Sequence, residues 1–103
     1  MRPIPLLLRN RLARDPFMAR CIYNDANCSP VIEWEHALLY QGKQINEAWA
    51  IVPCCTFHHR GAGLDKQYNQ FRALQRATEK DLAKYPKADW QTLRNYLFKK
   101  YGE

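Results

Sequence analysis

The spacing of apolar and polar positions changes character along the chain. Leu6, Leu7, Leu8, Leu12 and Ala13 are spaced for a short helix over residues 6–14. Asp15-Pro16 ends it, because proline disfavours helix at the residue before it. Arg20 to Tyr23 reads as a short extended piece. Asn24-Asp25-Ala26-Asn27 reads as a turn whose side chains can bond the local backbone. Val31 to Leu39, with β-branched and aromatic residues at its start, predicts a strand. Gln41-Gly42-Lys43 is turn chemistry, and Trp49 to Val52 is a second short apolar run, stopped by Pro53. Beyond this point the period lengthens. Leu64, Tyr68, Phe71, Leu74, Leu82 and Tyr85 recur mostly three or four apart, which predicts a helix that Pro86 ends. Trp90, Leu93, Leu97 and Tyr101 continue the period in a second helix, with Asp89 as N-cap and Gly102 as stop. Short strands followed by helices make an α+β fold with a long C-terminal helix pair. The aromatic residues of that pair read as core, and the basic residues between them lie off the apolar face, where they meet DNA or only water.

Composition narrows the class. The chain has 103 residues, 47% of them hydrophobic and 13% aromatic, which suits one domain and excludes a disordered chain. No repeat and no Gly/Ser linker divides it. The domain subdivides into a basic N-terminal segment (1–20), a core (21–60) and the C-terminal helices (64–101). The apolar run Ile4 to Leu8 is interrupted by Pro5 and stopped by Arg9, too short for a signal-peptide core or a membrane span. A cytoplasmic protein with no membrane partner is therefore expected. A domain this small buries only part of its surface and gains from a cross-link. Four Cys in such a chain suggest a metal before they suggest disulfides.

The net charge of +6 is unevenly spread, at +4 over residues 1–20, −3 over 21–59 and +5 over 60–103. The acidic middle holds all four Cys and all three His. Basic flanks around an acidic, ligand-rich centre suit a protein that grips a polyanion and holds a cation. Arg60, Lys66, Arg72 and Arg76 are candidate contacts to a DNA backbone.

Cys55-x2-His58 is a metal half-site, two donors spaced to close on one tetrahedral ion. Cys21 and Cys28 are spaced more widely, but the turn between them can bring their thiolates together. A Cys3His zinc site of Cys21, Cys28, Cys55 and His58 would then supply the cross-link, its binding energy acting as folding energy. Cys54 can replace Cys55 as ligand, and that choice stays open. His59 adjoins a ligand and projects about 100° from it if helical, so it is free to face a second site.

Cys21 and Cys28, then Glu35-His36, then Cys55-x2-His58-His59 form an ordered pattern, with 23 residues separating His36 from His59. Over residues 21–60 this pattern resembles the HNH endonucleases of the ββα-metal type, particularly small phage and prophage members. The resemblance implies a zinc-stapled core of two short strands and a helix, with His58 replacing a Cys of the family's final pair. It implies that His36 is the general base that activates water. Glu35 and His59 would hold a catalytic divalent ion, Mg²⁺, Mn²⁺ or another transition ion. Phosphodiester hydrolysis fits these types: a neutral His takes a proton near pH 7, and a bound cation neutralises charge on the phosphoryl and leaving oxygens. Ala50 stands where the family's Asn is usual. Asn46 is the nearest substitute for orienting the base, and Asn69 on the following helix is the other.

The expected activity is metal-dependent DNA cleavage in a bacterial or phage-infected cell. One active site nicks one strand; a double-strand break needs a homodimer, a second visit or a partner protein that directs the cut. The leading alternative is a non-catalytic zinc-stabilised DNA-binding module, which leaves Glu35-His36 and His59 unexplained. A zinc-held protein adaptor is a further alternative. A nucleobase deaminase requires His-x-Glu and Pro-Cys-x-x-Cys, and this chain has Leu38 and Phe57 at the decisive positions.

Overall fold

The computed structural model describes residues 4–60 and 65–102. Its order is α1 (Leu6–Ala13), a 3₁₀ turn (Pro16–Ala19), β1 (Ile32–His36), β2 (Leu39–Tyr40), β3 (Lys43–Gln44), a second 3₁₀ turn (Ala48–Ala50) and β4 (Ile51–Cys55). Four helices follow: α2 (Thr56–Arg60), α3 (Lys66–Arg76), α4 (Glu79–Ala83) and α5 (Trp90–Tyr101). This is the expected α+β class. Gly61 and Gly63, read as turn glycines, and Leu64, read as the start of the C-terminal helices, lie outside the described residues.

β1 and β4 pair antiparallel, Ile32 opposite Cys55 and His36 opposite Ile51. The second apolar run does not stop at Pro53, which lies inside β4 opposite Trp34. The Pro53 carbonyl accepts from the Ile22 N–H at 3.0 Å, so this residue's polar groups face away from β1. The missing proline N–H therefore costs no ladder bond, the usual condition for proline in a strand. The Val31–Leu39 run also divides. It leaves the first sheet after His36, and Leu39–Tyr40 pairs instead with Lys43–Gln44. Gln41 (φ 53°) and Gly42 (φ 82°) form the tight turn between them, the left-handed pair that two-residue hairpins favour.

The expected helix over 64–85 is two helices. Ala77 is extended (φ −72°, ψ 137°), and Thr78 opens α4 with a reciprocal capping box to Asp81. The capped hydroxyl and carboxylate satisfy backbone donors that a continuous helix would have paired internally. α5 begins and ends as its sequence indicates. Asp89 accepts from the Thr92 N–H, and the Gly102 N–H reaches the Phe98 carbonyl.

β4 is buried along its whole length because both of its faces are covered. The main core joins Trp49, Val52 and Cys54 to Phe71, Leu74, Leu82 and Leu97, so α3, α4 and α5 close over one side. Leu12, Met18 and Ile51 form a smaller cluster, against which Trp34 packs. Trp34 thus meets α1, with Arg9 over its ring at 5.9 Å. Among the described residues no helix is long and apolar enough to cross a membrane.

Candidate metal centre and active site

Neighbouring residues on the short helix α2 point into two different sites. His58 is buried and turns its Nδ1 toward three thiols, with Cys55 Sγ at 3.1 Å, Cys28 Sγ at 3.6 Å and Cys21 Sγ at 3.8 Å. The four ligand atoms lie within 4.8 Å of one another. Tetrahedral zinc with ordinary Zn–S and Zn–N bonds would place sulfur and nitrogen about 3.6 Å apart, so the donor set fits a metal such as zinc. Cys55, and not Cys54, joins this cluster. Adjacent strand residues point to opposite faces, which sends Cys54 into the main core.

The electrostatics match a site built for a cation. Burial and the neighbouring Cys21 and Cys55 thiols push the Cys28 thiol up to about 11. At Cys55 burial opposes ionisation, but the His58 backbone N–H and ring prevail and bring the thiol down to about 6.

Sequence reasoning missed a fifth member. Asp25 Oδ2 lies 3.0 Å from His58 Nε2, while Asp25 Oδ1 accepts from the Asn27 N–H at 2.9 Å. A carboxylate on the outer nitrogen fixes Nδ1 as the inward donor. Asp25 was visible only as turn chemistry. Tyr23 stacks on the face of the ring at 4.6 Å, and its hydroxyl donates to Asn69 Oδ1 at 2.6 Å. Asn69 is therefore tied to Tyr23; it lines the same cleft as His36, but the hydrogen bond to the His36 ring comes from Asn46.

At the second site His59 sits between two carboxylates on one face of β1. Glu35 Oε1 lies 2.8 Å from Nε2, and Glu33 Oε1 lies 2.7 Å from Nδ1. Both are hydrogen-bond distances, and the Glu35–His59 pair offers one oxygen and one ring nitrogen side by side. Glu33 was also missed, although the strand's period of two places it beside Glu35. Arg60 grips Glu33 from Nη2 at 2.6 Å and from Nε at 3.3 Å. Arg60 and His59 hold the Glu33 carboxyl well down, to about 2. Burial disfavours a charged His59, but the hydrogen bonds it donates to Glu33 and Glu35 outweigh it and raise the ring's affinity for a proton.

His36 ends β1, and its Nε2 lies 2.6 Å from Asn46 Oδ1. With Nε2–H donating to the amide oxygen, a neutral His36 keeps its lone pair on Nδ1. Glu35 and His36 line a cleft of ≈480 Å³ that is also bounded by Lys66, Asn69, Gln70 and Trp90.

The four basic candidates separate. Lys66 lines this cleft. Arg60 is largely exposed beside Glu33. Arg72 donates to the Ile22 carbonyl and the Tyr68 hydroxyl, both at 3.1 Å. Arg76 pairs with Asp15 at 2.5 Å and stacks on Phe17 at 4.1 Å. Arg76 ties α3 to the N-terminal segment, and Arg72 ties it to Ile22 and to the Phe17 ring, over which it lies at 5.5 Å. Comparison with known proteins found no matching family model, no matching curated protein and no matching solved structure.

Proposed function

We propose that the chain is a metal-dependent DNA endonuclease of the HNH, ββα-metal kind, with a separate structural zinc. The observation that carries this reading is the pairing of Glu35 with His59 beside a His36 whose Nε2 is held by Asn46. In this reading β1, β4 and α2 are the ββα unit. Cys21, Cys28, Cys55 and His58 hold zinc, and that closed four-ligand shell leaves no position for chemistry.

Glu35 and His59 would hold the catalytic Mg²⁺ or Mn²⁺. When bound, this ion supplies positive charge to the phosphoryl and leaving 3′-oxygens. The residues of the chain do the rest. Asn46 keeps Nε2 of His36 protonated, so Nδ1 takes the proton as a water oxygen attacks phosphorus. The P–O3′ bond breaks with its electron pair going to O3′, leaving a 5′-phosphate and a 3′-oxyanion that solvent protonates to the 3′-hydroxyl. Lys66 and Arg60 offer charge to the flanking phosphates, contacts that position DNA without reading its sequence.

A supercoiled-plasmid nicking assay with Mg²⁺ and with Mn²⁺ tests the reading. Cleavage is expected, and His36→Ala is expected to slow it roughly 10²- to 10⁴-fold, the usual worth of a general base. Plasmid binding without nicking under any divalent ion would overturn the enzyme reading in favour of the zinc-stabilised DNA-binding module.

A further inference from the structure

We propose that Glu33 is a positioning residue: by holding Nδ1 of His59, it presents Nε2 to Glu35 and to the divalent ion these two would share. This rests on the metal site proposed above. The starting point is that His59 has a carboxylate at each ring nitrogen, Glu33 Oε1 at 2.7 Å and Glu35 Oε1 at 2.8 Å. A neutral imidazole carries one N–H and one lone pair. It can donate to one of these carboxylates only, and its other nitrogen then faces a carboxylate lone pair to lone pair. A proton on that nitrogen lets the ring donate to both carboxylates, and a divalent ion shared by that nitrogen and that carboxylate would take the proton's place.

The surroundings decide which carboxylate accepts the N–H. Glu33 is already fixed, since both its oxygens accept from Arg60. Glu35 has no cationic partner besides His59 among the described residues, and it faces the cleft. Glu33 is thus the fixed acceptor for Nδ1–H, and Glu35 is the oxygen left for an ion. Glu33 and Glu35 are two apart on β1 and share a face, so the strand sets their separation, while His59 arrives from α2. The same device recurs at the neighbouring centre, where Asp25 holds Nε2 of His58 and Nδ1 faces the thiols.

Isothermal titration of Mn²⁺ into the zinc-loaded full chain tests this. Glu33→Ala is expected to weaken Mn²⁺ binding roughly 10- to 100-fold, as loss of an outer hydrogen-bond partner does at metal-bound histidines. Glu33→Gln is expected to recover part of that loss, because its amide oxygen still accepts from Nδ1–H. Glu35→Ala should abolish the binding. Zinc content and the unfolding midpoint are measured for each variant. Glu33→Thr, which suits a strand but is too short to reach the ring, stands in if the alanine variant does not fold. Wild-type Mn²⁺ affinity in a folded Glu33→Ala or Glu33→Thr protein, with binding lost in Glu35→Ala, would overturn the positioning role and leave the metal site standing. Wild-type affinity in Glu35→Ala would remove the metal site itself, and this proposal with it. Loss of zinc and of cooperative unfolding in both Glu33→Ala and Glu33→Thr would make Glu33 a folding residue and would equally overturn the proposal.

Discussion

Cys54 and Cys55 are neighbours of identical chemistry, both fully buried on β4, and truncating each to alanine should have opposite consequences. Cys55 Sγ is 3.1 Å from His58 Nδ1, inside the four-donor cluster. Cys54 packs in the main core, where burial and the surrounding negative groups push its thiol up to about 12. Cys54→Ala removes one buried sulfur and leaves a small cavity, a loss comparable to Ile→Val, about 0.5–1.5 kcal/mol. In a domain near this size each 1 kcal/mol moves the melting midpoint by roughly 4–8 °C. Cys55→Ala removes one of the four donors of that cluster. Structural zinc contributes about 10–16 kcal/mol of apparent binding energy in small domains. The whole stability of a domain is about 5–15 kcal/mol, so losing even half of the zinc contribution rivals it. Zinc per chain, measured by mass spectrometry of the purified protein, and the thermal midpoint read the two cases apart. Cys54→Ala should keep zinc and melt a few degrees lower; Cys55→Ala should lose zinc and its cooperative transition. Full zinc and a near-native midpoint in Cys55→Ala would refute the assignment of the cluster, as would zinc loss in Cys54→Ala.

Two further outcomes follow from single contacts. Asp25→Ala should speed transfer of zinc to a chelator, with affinity lowered roughly 10- to 100-fold, because nothing then fixes the His58 ring; unchanged release would leave the 3.0 Å contact without a role. At Asp15 burial opposes ionisation, but Arg76 and the Phe17 N–H together lower its pKa below 3.8. A lowered folded value means that the contribution is fully present above the ordinary value and is lost as pH falls through the folded one. Urea midpoints of wild type and Asp15→Asn should therefore differ at neutral pH and converge below pH 3.8; a constant gap would show that the ion pair is not its source.

Features set by neighbours in the chain were legible in the sequence. The Gln41-Gly42 turn needs left-handed backbone, and Asp89 is a short acceptor just ahead of a helix; both act within a few residues. The ligand cluster was legible because Cys and His are rare and chemically marked. The break at Thr78 was less so. Leu74 and Leu82 are eight apart, which suits one continuous helix, and only the Thr78–Asp81 pair signals a new N-terminus. Pro53 misled because a proline is harmless to a strand when its nitrogen faces away from the partner, and that orientation depends on which strand pairs with which. Glu33 and Asp25 were missed for a common reason. Each is an ordinary surface type in sequence, and each gains its role from a histidine 26 or 33 residues away.

The adjacency of His58 and His59 links the two sites physically. A helix of five residues is far shorter than the roughly 12–15 needed for stability alone, so α2 is held by what its side chains grip. On one side His58 is fixed by Cys55, Asp25 and the Tyr23 ring; on the other His59 is fixed by Glu33 and Glu35. Tyr23 extends the first set toward α3, since its hydroxyl accepts from the Asp65 N–H at 2.9 Å and bonds Asn69, the residue that lines the Glu35–His36 cleft. Releasing the proposed zinc would free one anchor of α2 and leave Glu33 and Glu35 holding a turn with little helical preference of its own. The His59 ring, the proposed ligand of the catalytic ion, would then lose its fixed direction, even though none of its own contacts had been altered. In the proposed enzyme, a structural zinc placed one residue from a catalytic ligand would thus act on the chemistry through geometry, without an open coordination position of its own.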